Sequence, residues 1–307
     1  MPSLAMSPLA PVLGQRVPLR GPARLLFSSY VRTRHRPGRS VSRLATVTGD
    51  HFDADLSSFL EWQLWAFGGY EQHFAELFGC LVSPGDRCVD VGANIGVHTV
   101  RLAKLAGPGG SVIAIEPDPD VAERARRNIA LNGLGNARVL DAAASDQAGE
   151  TVLYRPGAAD TNRARASLLR HSYLTGTAIT VPVVTVDSVC VDRARDEAAP
   201  GPRVAVIKID VEGLEAAVVR GAARVIDRDA PAVIFEYAPQ LLDDPSQTPF
   251  SWLAERGYEM FRARCARHGL TGRGRLVLEP LPARPAAGGD IVAVPAAMAG
   301  RLSGVIG

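Results

Sequence analysis

The sequence has no long apolar run and few cysteines for its length. No stretch of its 307 residues approaches the roughly 20 apolar residues that a membrane-spanning helix needs, and the mean hydropathy is +0.05. The four cysteines are too scattered for a Cys-x-x-Cys site and too few to staple a chain of this size. We therefore expect a globular, cytoplasmic protein without a transmembrane segment.

Patterns typical of metal binding are also missing. The six histidines form no His-Glu-x-x-His or His-x-His motif, so we expect no dedicated metal site. The charge is unevenly distributed: eight arginines within residues 1–50 stand against a single acid, Asp50, whereas the rest of the chain has a net charge of −5. Such an arm could bind nucleic acid or an anionic surface, or act as a transit peptide. Since it contains no lysine, we interpret it as a poorly ordered extension.

Beyond Pro84 the sequence alternates short apolar strands with helices. Strands are predicted at 88–92, 111–116, 137–141, 179–186, 204–210, 232–237, 257–261 and 290–294, and helices at 96–106, 119–132, 212–226 and 250–255. Apolar strands that lack polar alternation and are separated by helices indicate a parallel sheet covered on both faces. We predict an α/β fold with a doubly wound, mostly parallel seven-stranded sheet of Rossmann-like type. Its ligand crevice should lie at the carboxyl ends of the strands.

The chain divides into four segments on this interpretation. A helical lid with a break at Gly68 and Gly69 precedes the α/β domain, and a Pro/Gly/Arg-rich loop at 267–289 precedes the last strand. The segments are the arm 1–50, the lid 51–83, the α/β domain 84–296 and the tail 297–307.

Residues 89–96, V-D-V-G-A-N-I-G, lie where the first strand of the domain ends and a helix begins. Gly92 and Gly96 allow a tight turn in which a ligand can touch backbone N–H groups. Asp90 would repel a pyrophosphate, and Asn94 stands where a dinucleotide-binding loop has its second glycine. The run favours a cofactor with an amino group, such as S-adenosylmethionine (SAM), although a generic strand-to-helix turn also explains the glycines.

Acids end two further strands. Glu116 follows Gly92 by 24 residues and is placed to accept the hydroxyl groups of a ribose. Asp210 ends the strand I-K-I-D, in which Lys208 would be buried and would need a partner. Glu212 then begins a helix, where it is as readily a helix cap as a catalytic group.

These motifs, in this order, resemble the FkbM family of SAM-dependent methyltransferases. The likeness rests on V-D-V-G-A-N-I-G-V-H-T, A-I-E-P-D-P, R-V-L-D-A-A-A-S-D and I-K-I-D-V-E-G-L-E-A-A-V-V-R-G-A, and it runs over residues 67–237. It implies a class I methyltransferase fold and methylation of a hydroxyl on a sugar, lipid or secondary metabolite, with no stable nucleic-acid partner. The cofactor contacts that it implies are Asp90, Gly92, Asn94 and Gly96 for the methionine end, Glu116 for the ribose and Asp141, Ala142 and Ala143 for the adenine, with Glu71 and Thr99 as weaker candidates.

An alcohol needs a base to take its proton as the new C–O bond forms. Asp210 is the first candidate, with His98 and Glu212 behind it and Lys208 beside it. A divalent metal on Asp210 and Glu212 is an alternative that we rank second.

The segment 155–178 interrupts the rhythm of strands and helices. We predict a flap that faces the methyl acceptor, in which Arg163, Arg165 and Arg170 could meet a phosphate or carboxylate.

Three other functions stay open at this point. A nucleic-acid methyltransferase could use the same fold, although the sequence has no Asn-Pro-Pro-Tyr or Asp-Pro-Pro-Tyr motif. A nucleotide-dependent oxidoreductase is disfavoured by the displaced glycine. A non-catalytic SAM-binding module is disfavoured by the intact acids at 210 and 212. The sequence does not predict the oligomeric state or the identity of the acceptor.

Overall fold

The computed structural model describes residues 41–157, 166–169, 174–190, 202–239, 248–266, 275–281 and 287–306. The strands are β1 (Val41–Ala45), β2 (His51–Asp55), β3 (Arg87–Val91), β4 (Ser111–Glu116), β5 (Ala137–Asp141), β6 (Ala143–Ala144), β7 (Gly149–Tyr154), β8 (Ala178–Val184), β9 (Val204–Ile209), β10 (Ala232–Tyr237), β11 (Tyr258–Ala266), β12 (Arg275–Pro280) and β13 (Gly289–Pro295). The helices are α1 (Phe59–Phe67), α2 (Gln72–Leu81), α3 (Val97–Ala106), α4 (Pro119–Leu131), α5 (Val186–Cys190), α6 (Glu215–Arg220), α7 (Ala223–Asp229), α8 (Phe250–Ala254) and α9 (Ala296–Ala299), and a 3₁₀ turn covers Gly300–Leu302.

The main sheet has the order β12-β11-β13-β10-β9-β3-β4-β5. The strands β10, β9, β3, β4 and β5 are parallel, whereas β13 and β11 run antiparallel to their neighbours. The doubly wound, mostly parallel class I methyltransferase fold is therefore confirmed. The sheet has eight strands rather than seven because β12, inside the loop predicted at 267–289, pairs along β11. Strand order reverses between β3 and β9, which is where a ligand crevice opens in folds of this type.

The central strands are largely apolar because they are covered on both faces. All six residues of β9 are buried. Val89 and Ile207 pack on one face against α5, α6, α7 and α8, and Cys88 and Val206 pack on the other against α2 and α3. A strand with two buried faces has no polar face to alternate with, which is the pattern that the sequence shows.

A separate three-stranded sheet has the order β6-β8-β7. The segment 179–186 was predicted as a strand. It forms β8, which lies outside the main sheet and pairs antiparallel with β7. Burial along β8 alternates between inward and outward residues, as expected of a sheet with one face in solvent. The helix predicted at 212–226 is likewise divided, into α6 and α7.

Residues 41–50, predicted as part of the arm, form β1 and the turn into β2, and residues 53–55 are extended rather than helical. The backbone N–H groups of His51 and Asp53 donate to the side-chain oxygens of Asn132 and Asn128, both 2.9 Å away. Helix α4 thus holds the hairpin against the domain. Residues 1–40 lie outside the described part of the chain.

The segment predicted as a tail packs against the sheet. Leu302 and Val305 are buried, and the backbone N–H of Leu278 in β12 donates to the carbonyl of Val305 at 2.7 Å. Across the described ranges, none of the helices has the length and apolar character needed to cross a bilayer.

The backbone approaches itself closely at Gly221, between α6 and α7. A Cβ at this position would lie 2.1 Å from the carbonyl oxygen of Ser145, although its φ of −69° suits any residue. Gly300 also follows a helix and has a helical φ, and a Cβ there would meet nothing within 4 Å.

We expect Gly221→Ala to lower the free energy of unfolding by about 1–3 kcal/mol through overpacking. Gly300→Ala should be neutral or stabilising by up to about 1 kcal/mol. Urea unfolding of the two variants measures the difference, and equal effects would contradict this account.

Candidate functional site

The glycine turn, residues 92–96, is held between three strands. Gly92 has φ +78°, and a Cβ there would lie 1.9 Å from the carbonyl oxygen of Asp210, so only glycine fits. The backbone N–H groups of Gly92 and Ala93 both donate to the carbonyl of Ile115 in β4. Gly96, with φ +86°, precedes α3. The turn therefore has one conformation, fixed by the ends of β4 and β9.

Glu116 is bonded to this turn. One carboxylate oxygen accepts the backbone N–H of Asn94 at 2.9 Å, and the other accepts that of Asp118 at 3.0 Å. Burial outweighs these hydrogen bonds and raises the pKa of Glu116 to about 7. Each oxygen keeps a second lone pair, so the carboxylate can still accept two hydroxyl groups.

Two cavities meet at the carboxyl ends of β3 and β9. The turn cavity lies over the glycine turn and Glu116, and Ala142, Ala143 and residues 166–168 close it. The acidic cavity lies beside it, towards β10 and β13. Its carboxylates are Glu71, Asp210, Glu212, Glu236 and Asp290. The two cavities share a wall formed by Leu60, Tyr70, Asn94, Lys208, Asp210 and Glu212.

Residues 166–168 are the described part of the predicted flap at this site. They line the turn cavity and not the acidic one. Arg163, Arg165 and Arg170 lie outside the described residues.

Lys208 occupies the shared wall and is only 4% exposed. Its Nζ lies 3.1 Å from an oxygen of Asp210 and 3.9 Å from one of Asp90, which is opposite Lys208 in the β3–β9 register. Burial lowers the pKa of Lys208, but Asp210, Asp90 and Glu71 outweigh burial and raise it above its usual range. The ammonium ion is therefore paired, as its position in the strand required.

Asp90 lies behind the cavities rather than in them. It is fully buried, and one of its oxygens accepts the hydroxyl of Thr99 at 2.6 Å. Asp141 pairs instead with Arg126. Of the predicted cofactor residues, Gly92, Asn94, Glu116, Ala142 and Ala143 line the turn cavity of the described structure. Asp90, Gly96, Thr99 and Asp141 line neither cavity.

Glu71 and His98 join the lid to the helix after the glycine turn. His98 Nε2 lies 2.9 Å from a Glu71 oxygen, and the imidazole ring packs edge-on against Phe74 and Phe78. Burial opposes ionisation of Glu71, but the hydrogen bond and charge of His98, with Lys208 and Tyr70, lower its pKa to about 2. His98 lines the turn cavity and Glu71 the acidic one. The pair thus spans the two.

Glu236 and Asp290 were not predicted from the sequence. They are opposite each other in the antiparallel pairing of β10 with β13, and both line the acidic cavity. The strand-end rule that selected Glu116 and Asp210 would also have selected Glu236. Within the described ranges, no group of three or more His, Cys, Asp or Glu side chains is arranged to hold a metal ion.

Comparisons with known proteins agree with the fold and the motifs. Residues 90–260 match the family model described as the methyltransferase FkbM domain. The 31-O-demethyl-FK506 methyltransferase FkbM of Streptomyces tacrolimicus is 31% identical over 218 residues, which are 62% of this chain and 75% of that protein. A solved methyltransferase FkbM from Methylobacillus flagellatus is 16% identical with a TM-score of 0.40, covering 71% of this chain and 50% of that one.

Shorter matches join the chain to protein-L-isoaspartate O-methyltransferases. The enzyme of Ignicoccus hospitalis is 43% identical over 56 residues, which are 18% of this chain and 26% of that protein. The enzyme of Aeropyrum pernix is 46% identical over 50 residues, which are 16% of this chain and 19% of that protein. The match thus spans about a quarter or less of these curated relatives. Since the family model covers more than half of the chain and the Streptomyces relative is matched over three quarters of its length, the chain belongs to the FkbM family of methyltransferases.

Proposed function

We propose that this protein transfers the methyl group of SAM to a hydroxyl oxygen of a sugar, lipid or secondary metabolite. The observation that carries the proposal is the pair of joined cavities at the carboxyl ends of β3 and β9. One has the features of a nucleoside site, and the other offers several carboxylates to the acceptor. The two cavities have six lining residues in common, so a ligand in each cavity would contact the same residues.

The turn cavity suits SAM by the chemistry of its donor set. Glu116 offers two carboxylate oxygens for the ribose hydroxyls, and the small residues Ala142 and Ala143 leave room for a flat adenine. Asp210 and Glu212 at the shared wall favour a cation over a pyrophosphate. When bound, SAM supplies a methyl group already activated by a positively charged sulfur.

The residues of the chain have mainly a positioning role under this proposal. The glycine turn and Glu116 would fix the nucleoside, while Lys208 holds Asp210 at the shared wall. Placing an acceptor oxygen in line at near-attack distance can supply a large part of the rate enhancement. Asp210 lies at the shared wall, where the motif suggests an acid beside the reacting methyl group, and it is ion-paired with the buried Lys208 ammonium.

The relatives support an oxygen as the acceptor atom. The Streptomyces tacrolimicus protein is named as a methyltransferase of 31-O-demethyl-FK506, which is an O-demethylated substrate. The acidic cavity disfavours a polyanion such as a nucleic acid, since its carboxylates would repel phosphate groups. A neutral polyhydroxyl compound is compatible with it.

Methyl transfer from labelled SAM into small-molecule and lipid extracts tests the reaction itself. We expect labelled ethers, which resist alkali, whereas a methyl ester would release its label under the same treatment. Label found only in alkali-labile products or in nucleic acid would contradict hydroxyl methylation.

The carboxylate of Glu116 should dominate recognition of the ribose. We expect Glu116→Gln to weaken binding of S-adenosylhomocysteine (SAH), the demethylated product, roughly 10- to 100-fold, because hydrogen bonds to a charged acceptor are worth about 1.5–3 kcal/mol. Calorimetry of the full chain measures this change. Glu150→Gln, an exposed glutamate in β7, is the matched control and should bind like the wild type. Equal affinities of wild type and Glu116→Gln would contradict the assignment.

Binding of SAH should depend on pH through the same group. Burial raises the pKa of Glu116 to about 7, so the carboxyl gains a proton as the pH falls through neutrality. A protonated carboxyl accepts fewer hydrogen bonds, and we expect the affinity to fall by up to roughly tenfold per pH unit below that point. Titrations between pH 5.5 and 8.5 check this. The affinity of the Glu116→Gln variant for SAH should vary less with pH. Parallel curves for the variant and the wild type would rule out Glu116 as the source of the pH dependence.

Chelation distinguishes the metal alternative. We expect methyl transfer to continue after EDTA treatment, because positioning and a carboxylate base suffice for the proposed reaction. Loss of transfer that added magnesium restores would instead support a metal on Asp210 and Glu212.

A further inference from the structure

We propose that Glu236 takes the proton of the acceptor hydroxyl during methyl transfer, an inference that rests on the proposed function. No sequence motif pointed to this residue. Its position in the acidic cavity, the partners of the neighbouring acids and the charges that face it all suit this role.

The sheet brings Glu236 beside Asp210. In the parallel pairing of β10 with β9, Phe235 is opposite Ile209, so the next residues on the two strands are neighbours at the strand ends. Adjacent strands lie roughly 4.8 Å apart. Both side chains line the acidic cavity, next to the wall that this cavity shares with the turn cavity. Glu236 therefore lies on the side of the shared wall where an acceptor would sit.

Three of the other four acids of the acidic cavity lie beside a nitrogen atom of a basic side chain. Asp210 is paired with Lys208 at 3.1 Å, Glu71 is bonded to His98 at 2.9 Å, and an oxygen of Asp290 lies 3.6 Å from His73 Nε2. The pKa of Glu71 is lowered to about 2 because His98 outweighs the opposing effect of burial, so this carboxylate is a weak proton acceptor. Among the described residues, the carboxylate of Glu236 has no hydrogen bond or ion pair, and its side chain is open to the cavity.

The surroundings make Glu236 a stronger base than an ordinary carboxylate. Partial burial, followed by repulsion from Asp210, Asp290, Glu215 and Glu71, raises the pKa of Glu236 to about 7. Of the basic side chains on the facing elements, Lys208 lies against Asp210, and His73 lies nearest to Asp290. General bases are most effective when their pKa is near the working pH.

The proposed step balances as follows. A lone pair of the hydroxyl oxygen forms the new bond to the methyl carbon while the bond from that carbon to sulfur breaks. The electrons of the broken bond stay on sulfur, which becomes a neutral thioether. The hydroxyl proton passes to the Glu236 carboxylate, and the carboxyl later releases it to solvent through the open cavity.

Carbon NMR of the full chain tests the state of Glu236 without any acceptor. The protein is labelled at the glutamate carboxyl carbons and saturated with SAH, and Glu236→Gln identifies the signal. We expect a titration midpoint near 7. Asp290→Asn removes one of the repelling charges and should lower the midpoint. A midpoint near the ordinary value of about 4.3 would overturn the proposal.

Kinetics then test the role in transfer. With labelled SAM at saturating concentration, so that weaker binding through Glu116 does not limit the rate, and with the extract that accepts label, we expect Glu236→Gln to lower the rate roughly 10²- to 10⁴-fold and to remove the loss of rate below about pH 7. The affinity for SAH should stay unchanged. The exposed Glu259→Gln in β11 is the matched control and should keep the wild-type rate.

The two measurements separate this inference from the proposed function. A Glu236→Gln protein with the wild-type rate and pH profile would overturn the inference and leave the proposed function standing. A wild-type chain that binds SAH but labels no hydroxyl would contradict the proposed function, while the carboxyl titration independently decides whether Glu236 is prepared to accept a proton near neutral pH.

Discussion

The ammonium ion of Lys208, buried near the carboxyl end of β9, is the constraint on which the rest of the site depends. An unpaired charge at this depth would cost several kcal/mol, so the carboxylates of Asp90 and Asp210 have to lie within reach. Asp90 in turn receives the hydroxyl of Thr99 and so connects β3 to the helix after the glycine turn. One buried cation thus links the two strands at which the sheet reverses its order.

Three residues with strained backbone conformations lie close to Lys208, along the acidic cavity. Glu71, Asn94 and Glu212 have φ values of +44°, +50° and +50°. These values lie in the left-handed region, which residues other than glycine rarely adopt. All three line the acidic cavity. Such conformations cost of the order of 1–3 kcal/mol each and persist only where surrounding contacts enforce them. The bonds of the Asn94 N–H to Glu116 and of Glu71 to His98 are contacts of this kind.

Much of the parallel half of the fold could be predicted because its signals are local. The strands from β3 to β5 and the strands β9 and β10 are short apolar runs, and their ends place Gly92, Glu116 and Asp210 at one edge. The pairing of β12 could not be predicted, because β12 is held by β11 on one side and by C-terminal residues that pack against it. The hairpin of β1 and β2 depends on Asn128 and Asn132, more than 70 residues away along the chain.

The site was predictable only to the same extent. A strand-end acid is visible in the sequence, but the direction of its side chain is not, so Asp90 was expected in the crevice and lies behind it. Glu236 was missed because its importance comes from strand order, which sets β10 beside β9. The roles assigned to Asp210, Glu212 and His98 stay predictions.

The excess of carboxylates over cations in the acidic cavity has a consequence for turnover. Under the proposed function, the donor arrives with a positive sulfur and leaves as a neutral thioether. The negative field of the cavity attracts the positively charged donor, but it does not attract the neutral product SAH. The carboxylates that produce this field are Glu71, Asp210, Glu212, Glu236 and Asp290. Methyl transfer would thus remove the positive charge of the bound cofactor and lower the affinity of the protein for it. The reaction itself would then promote product release before the next cycle.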